Sequence, residues 1–234
     1  MSEEIDELAE AMHGLTRALE DDRLEPVLFE VISAEAVRAV PDADMASVTV
    51  IRSGKGETAA TTDPRAEQAD AAQYAAGEGP CLEAAETGEI VRLSLPAADR
   101  RWPEFTDVAA DLGIGSYLAA PLRVDEELSG ALNLFGFGDH GFRELDGQLL
   151  KVYVTMVAFG LRTHHRYRDA RARAEQLEHA MQTRAVIEQA KGMLMAIHRI
   201  NANEAMQRLV VESQTTNTKL RDIATRFVTT VSDR

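Results

Sequence analysis

Cysteine is nearly absent from these 234 residues: Cys81 stands alone. One cysteine forms no intramolecular disulfide, no Cys-Cys redox pair and no cysteine-rich zinc site. Aromatic residues make up only 5% of the chain, with Trp102 the single tryptophan. No proline follows Pro121, so nothing of that kind interrupts the last hundred or so residues. No apolar run approaches the roughly 18 residues of a membrane span. The opening Met1-Ser2-Glu3-Glu4 is acidic where a secretory signal opens basic. The expectation is a cytoplasmic protein without a membrane partner.

Catalytic groupings are missing as well. His13, His140, His164, His165, His179 and His198 include no i, i+4 pair, and none lies near Cys81. Ser53-Gly54-Lys55-Gly56 has neither the length nor the ending of a phosphate-binding loop. No serine occupies a nucleophile elbow. The expectation is no enzyme, no catalytic residue, no metal and no cofactor.

What is present is an ordinary globular composition, 45% hydrophobic and 27% charged, with a net charge of −14. The charge is unevenly spread. From Arg166 onward there are 12 basic and 8 acidic residues, a net +4. The preceding stretch holds 13 basic and 31 acidic residues, a net −18. Such asymmetry points to two modules with different partners. At the join lie Arg162, His164, His165, Arg166, Arg168, Arg171 and Arg173. They form either a phosphate-contacting stripe or a solvated helix face.

Ile5, Leu8, Met12, Leu15 and Leu19 recur at 3-4 spacing and predict a helix over 3–20. It is too short to stand alone and must pair with another helix or with a second copy. A second helix is expected over about 23–39. Met45–Arg52 alternates as a strand, with Glu57–Thr62 as its hairpin partner. Helices are expected over 65–76, 81–87 and 102–112, and a strand over 89–95. Strands 115–124 and 128–137, joined by Asp125-Glu126-Glu127, form the expected central hairpin. From Glu144 to about Arg199 only isolated glycines interrupt a helical pattern. Its heptad seam would run through Tyr153, Met156, Gly160, Thr163, Tyr167, Ala170, Ala174, Leu177 and Met181. Asn201 with Glu204 fits a capping box for a helix over 202–213. Thr215, Thr216 or Asn217 would cap a last helix ending near Val231. Ile187, Leu194, Ile197, Met206, Leu209, Leu220, Ile223, Phe227 and Val231 are the expected core of a three-helix bundle.

Cys81 opens a short helix after a glycine-proline break. It reads either as a redox-sensing thiol or, more simply, as a buried small hydrophobe. Trp102 reads as a helix anchor or a ligand contact.

Thr61-Thr62-Asp63-Pro64, Gln73-Tyr74-Ala75-Ala76-Gly77-Glu78-Gly79-Pro80-Cys81, Arg101-Trp102-Pro103-Glu104-Phe105, Pro121-Leu122 and Gly130-Ala131-Leu132-Asn133-Leu134-Phe135 together resemble the GAF domains of actinobacterial regulators. The resemblance covers about 22–165. It implies an antiparallel sheet of five or six strands with helices on one side, an unidentified small-molecule ligand or a dimerisation role, and Cys81 and Trp102 as candidate ligand or redox residues. Arg184-Ala185-Val186-Ile187-Glu188-Gln189-Ala190-Lys191-Gly192-Met193-Leu194-Met195, Ala205-Met206-Gln207-Arg208-Leu209 and Ser213 through Ala224 resemble the ANTAR module. That resemblance covers about 175–231 and implies an RNA-binding antiterminator acting on paired stem-loops in nascent mRNA. Arg199 stands where that family usually has a glycine, and Met206 where it has an aromatic.

The fold class expected is thus α+β: an amphipathic helix over 1–21, a GAF domain over 22–165, a long coiled-coil helix over 143–182 and a three-helix ANTAR module over 175–231. RNA recognition favours unpaired loop bases, which call for hydrogen-bonding side chains beside cations. Arg184 and Lys191 share a helix face, with Gln189 near them, and Gly192 allows close approach. Ser213, Gln214 and Asn217 offer hydrogen bonds, and Lys219 and Arg221 offer charge. Each of these residues also has a structural reading, as a cap or as solvated surface. No exposed aromatic platform for base stacking is evident. The partners expected are RNA and a second copy of the chain, through the coiled coil and the N-terminal helix. The alternative is a helix-turn-helix-like DNA-binding regulator. A sulfoxide-reducing GAF enzyme would need several cysteines.

Overall fold

The computed structural model describes residues 2–21, 25–98, 101–125 and 128–232. The expected start of the second helix at Arg23 and the turn residues Glu126 and Glu127 lie outside them. Contacts divide the chain into two compact units, Met1–Arg166 and Tyr167–Arg234.

The first unit begins with α1 (Ser2–Glu20) and α2 (Glu25–Ala39). β1 (Met45–Arg52) and β2 (Lys55–Thr61) follow as a hairpin. Ser53 and Gly54 both have positive φ, 52° and 76°, which suits a two-residue turn matched to strand twist. α3 (Pro64–Ala76) starts because the Asp63 carboxylate accepts from the Arg65 backbone N–H at 2.9 Å and Pro64 presets the first turn. It ends at Gly77, left-handed at φ 71°. Then come α4 (Pro80–Thr87), β3 (Val91–Ser94), the four-residue α5 (Leu95–Ala98), α6 (Pro103–Asp111), β4 (Ser116–Arg123), β5 (Ser129–Gly136) and α7 (Glu144–His198).

The five strands pair antiparallel in the order β2-β1-β5-β4-β3. The last two expected strands do form the β4–β5 hairpin, with β5 at the centre. Helices cover both faces of the sheet, not one. Val48, Val50, Leu118, Leu122, Leu132 and Leu134 meet α1, α2 and the first turns of α7. Met45, Tyr117, Ala119, Ala131 and Phe135 meet α3, α4 and α6. β4 and β5 carry apolar side chains on alternate positions of both faces, so two apolar surfaces must be buried. Tyr117 packs edge-on to Phe105 at 5.3 Å and to Phe135 at 4.8 Å.

The N-terminal helix finds its partner within the chain. Leu8, Ala11, Leu15 and Ala18 are its buried row, packed in the core that α2 and α7 share. The expected seam residue Ile5 is 56% exposed instead. Small alanines let the helices approach closely, and that displaces the buried stripe from the strict leucine heptad. The seam predicted along α7 is corrected in the same way. Tyr153 is fully buried and donates to the Ile32 carbonyl at 3.1 Å. Gly160 lies against Leu19, whose Cδ1 is 2.5 Å from where a β-carbon would sit. In this unit the outward row is Val152, Met156 and Phe159. Further along, Tyr167, Leu177 and Met181 are exposed, as a coiled-coil seam requires before it finds a partner.

The second unit contains the rest of α7, α8 (Ala202–Thr216) and α9 (Leu220–Ser232). The capping box forms: Asn201 Oδ1 accepts from the Glu204 N–H at 3.0 Å, and Glu204 accepts from the Asn201 N–H at 3.1 Å. Its core is Ala190, Leu194, Ala205, Leu209, Ile223 and Ala224, with Ile187, Leu220 and Phe227 packed against it. Ile197, expected inside, is 54% exposed. Arg199 turns the chain with φ 52°, so the left-handed corner expected of a glycine is kept with an arginine. α8 runs three residues past the expected Ser213. Asn217, at φ 49°, closes α8 rather than capping α9, and the Lys219 carbonyl accepts from the Asp222 and Ile223 N–H groups in the first turn of α9.

Candidate nucleic-acid interface and the buried polar centre

Arg184 and Lys191 lie seven residues apart on α7. At 100° per residue they sit within about 20° of each other around the helix. Arg184 is exposed, and Lys191 pairs with Glu188 one turn earlier. Such a pair is worth only about 0.3–0.5 kcal/mol, so it yields readily to a phosphate. Gly192 is open: a β-carbon there would meet nothing within 4 Å. Gln189, expected beside Lys191, is two residues away and projects from nearly the opposite side of the helix. It is exposed.

The second group lies where α8 gives way to α9. Ser213 Oγ donates to the Thr218 carbonyl at 2.6 Å, and the Thr218 N–H donates to the Ser213 carbonyl at 3.0 Å. Ser213 thus holds the corner together. Gln214, Asn217 and Lys219 are exposed on it. The Arg221 side chain bonds Asp222 at 3.2 Å and contacts the His179 ring on α7. That contact ties the start of α9 to α7 and names His179 as a residue missed by sequence reasoning. His179 and Arg184 are five residues apart, about 140° around α7, so Arg221 and Arg184 mark different flanks of the unit.

The arginine and histidine cluster at the join is dispersed. His164 is buried, His165 lies 3.1 Å from Asp125, Arg171 pairs with Glu175, and Arg162 Nε donates to the Val124 carbonyl at 2.8 Å. His164 is thus withdrawn from either reading, while Arg166, Arg168 and Arg173 are exposed, as both a solvated face and a phosphate-contacting stripe require.

In the first unit Cys81 is buried at the start of α4, and its N–H donates to Gln73 Oε1 at 2.8 Å. Burial pushes the thiol well above its usual range. A sensor needs the opposite, an accessible thiolate. Trp102 is 5% exposed, precedes α6 and is capped by the Arg101 guanidinium 4.1 Å from its ring. It anchors α6 in the core.

Beneath α3 lies a polar centre that sequence reasoning did not find. Asp70 is fully buried. Thr58 Oγ1 donates to it at 3.0 Å, and Asn133 Nδ2 approaches it at 3.4 Å. Asn133 also donates to Ser47 at 3.1 Å and Thr49 at 2.8 Å. The Tyr74 hydroxyl bonds both Thr49 and Thr58, and Gln73 donates to the Tyr117 hydroxyl at 3.2 Å. Desolvation pushes the Asp70 carboxyl up to about 7, the hydroxyls of Ser47 and Thr58 offsetting part of the rise. The signals were an aspartate within an alanine-rich helix and an asparagine within an apolar strand. Among the described residues no group of three metal-ligating side chains converges, and no helix is long and apolar enough to cross a membrane.

A family model for the GAF domain matches residues 24–162, more than half of the chain, and one for the ANTAR domain matches 175–228. No curated protein matches. Among solved structures, the phycoerythrobilin-bound GAF domain of a cyanobacterial phytochrome is 12% identical at a TM-score of 0.53, covering 69% of this chain and 97% of its own. The GAF domain of a phosphoenolpyruvate-protein phosphotransferase from Coxiella burnetii is 19% identical at 0.51, covering 70% and 97%. The reduced form of fRMsr from Staphylococcus aureus is 13% identical at 0.51, covering 66% and 94%. At these identities the likeness is one of fold. The chain belongs to the GAF family and, with its C-terminal ANTAR domain, is a GAF-ANTAR two-domain protein.

Proposed function

We propose that this chain is a non-enzymatic cytoplasmic transcription antiterminator that binds tandem stem-loops in nascent mRNA through its ANTAR unit. Holding those loops keeps a terminator hairpin from forming. The observation that carries the reading is the ANTAR match, over a unit that carries Arg184, Lys191 and an open Gly192 on α7 and exposes Gln214 and Lys219 at the corner between α8 and α9. Cations beside hydrogen-bonding side chains suit loop bases and their phosphates. The strongly acidic GAF unit repels nucleic acid and confines contact to the basic end. The GAF unit is the sensory or dimerisation input, and α7 continues from it into the ANTAR unit. The exposed row Tyr167, Leu177 and Met181 supports a homodimer along α7. α1 contributes less to that dimer, since its apolar row is already buried within the chain.

The test is an electrophoretic mobility shift at stated salt, with a tandem-hairpin RNA, a loop-scrambled RNA and a duplex DNA. Tight binding to the first alone is expected, lost in Arg184→Ala and Lys191→Ala while the dimer survives. Equal binding to all three probes overturns the reading in favour of bulk charge. Preference for the duplex overturns it in favour of a DNA-binding regulator.

A further inference from the structure

Along the flank where the segment 88–90, just before β3, and β4 meet α7, the GAF unit holds a cavity of about 420 Å³. That is the size of a small-molecule site. It lies on the sheet face opposite the buried polar centre, in which side chains fill the space between α3 and the sheet. Ile90, Pro121, Val154 and Phe159 give it apolar walls, and Phe159 is 62% exposed.

Three cations line the same cavity: Arg123, Lys151 and Arg162. Arginines elsewhere in the unit meet carboxylates, as Arg65 does Asp63, Arg92 does Glu144 and Arg143 does Asp146. These three pair with no carboxylate among the described residues. Arg123 Nη2 donates to the carbonyls of Ala85 at 3.1 Å and Glu86 at 3.0 Å. Arg162 donates through Nε to the Val124 carbonyl at 2.8 Å. Neutral carbonyls fix each guanidinium without cancelling its charge, and a guanidinium has five N–H donors to share. Glu89 is the one acidic residue on the lining, and it is exposed. In a unit this acidic, three cations gathered on an apolar cavity without carboxylate partners are a selective pattern.

We propose that this cavity binds a small organic anion with an apolar body that lies along α7, its acid group held by Lys151 at one end of the cavity, with Arg123 and Arg162 adding positive potential at the other. Lys151, Val154, Phe159 and Arg162 all belong to α7, so the ligand packs directly on the helix that continues into the ANTAR unit. The inference rests on the sensory reading of the GAF unit and not on the RNA reading.

The test uses the full chain and two fluorescent probes, 1-anilinonaphthalene-8-sulfonate and its neutral counterpart N-phenyl-1-naphthylamine. The expected result is saturable sulfonate binding to the natively folded chain. Lys151→Glu should weaken it by about tenfold or more, while changing the neutral probe by less than about twofold. Thr155→Trp, an exposed lining position, should block both probes. Circular dichroism melts like the parent's show that each variant is folded. Absence of saturable sulfonate binding overturns the proposal, as does equal weakening of both probes by Lys151→Glu. So does dissociation of a dimer by Thr155→Trp in sedimentation, which would make the cavity a subunit contact. RNA binding is read separately on the same variants, so failure of one reading leaves the other standing.

Discussion

Replacing Gly192 by alanine separates stability from recognition. Gly192 lies inside α7 without the positive φ that would demand glycine, and an added methyl meets nothing within 4 Å. The folded chain therefore pays no steric penalty. Glycine in a helix interior is worse than alanine by about 0.5–1 kcal/mol, through its greater freedom when unfolded. The variant should thus gain about that much. In a small helical unit this raises the midpoint by about 2–8 °C, read by circular dichroism. The same methyl projects into the space that the proposed function gives to RNA. Tandem-hairpin affinity should then fall by about tenfold or more at fixed salt, equivalent to about 1.4 kcal/mol. Stabilisation with weakened binding is the expected signature, because simple damage lowers both. A stabilised variant that binds RNA like the parent refutes close approach at this position. A variant that is not stabilised refutes the helical setting.

Arg199→Gly relieves an arginine held at φ 52°, and should stabilise the second unit by up to about 1 kcal/mol in urea melts; a loss of stability would show the corner is not strained. Asp70 carries its proton in the folded chain up to about pH 7, whereas an unfolded aspartate gives it up near 3.8. Its stabilising contribution is therefore full below the lower value and is lost as pH rises through the upper one. Asp70→Asn cannot ionise, so its stability relative to the parent should improve from acid to neutral pH; urea titrations showing a constant difference would refute the buried carboxyl. Cys81 should resist thiol reagents in the native chain and react on unfolding, and fast native labelling would reopen the sensor reading.

Much of this architecture was legible because local chemistry dictates it. Asp63-Pro64 and Gly77 bound α3, and Asn201 with Glu204 starts α8, each through bonds made within a turn or two. β1 alternates cleanly, and its bounds came out as expected. What a single helix pattern does not contain is the identity of its partner. The α1 heptad was compatible with a second copy, yet Ala11 and Ala18 set the buried row because α2 and α7 supply a closer fit. Tyr153 looked like a seam residue and is core, for the same non-local reason. In the candidate site, the seven-residue spacing placed Arg184 and Lys191 on one helix face, while the side of the helix that Gln189 faces needed the helix geometry. Asp70 and Asn133 escaped notice because they are 63 positions apart and meet only once the sheet forms. The cationic cavity likewise gathers Arg123, Lys151 and Arg162 from two elements.

The two corners of the C-terminal unit have a mechanical consequence. Arg199 and Asn217 both turn left-handed, and neither is glycine. Glycine at such a corner is a swivel, since it enters several backbone basins at similar cost. A residue with a side chain has a single narrow left-handed well, so each corner works as a fixed bracket. The shape of this unit is then set in the free chain, so the RNA proposed above would meet corners that need little further ordering.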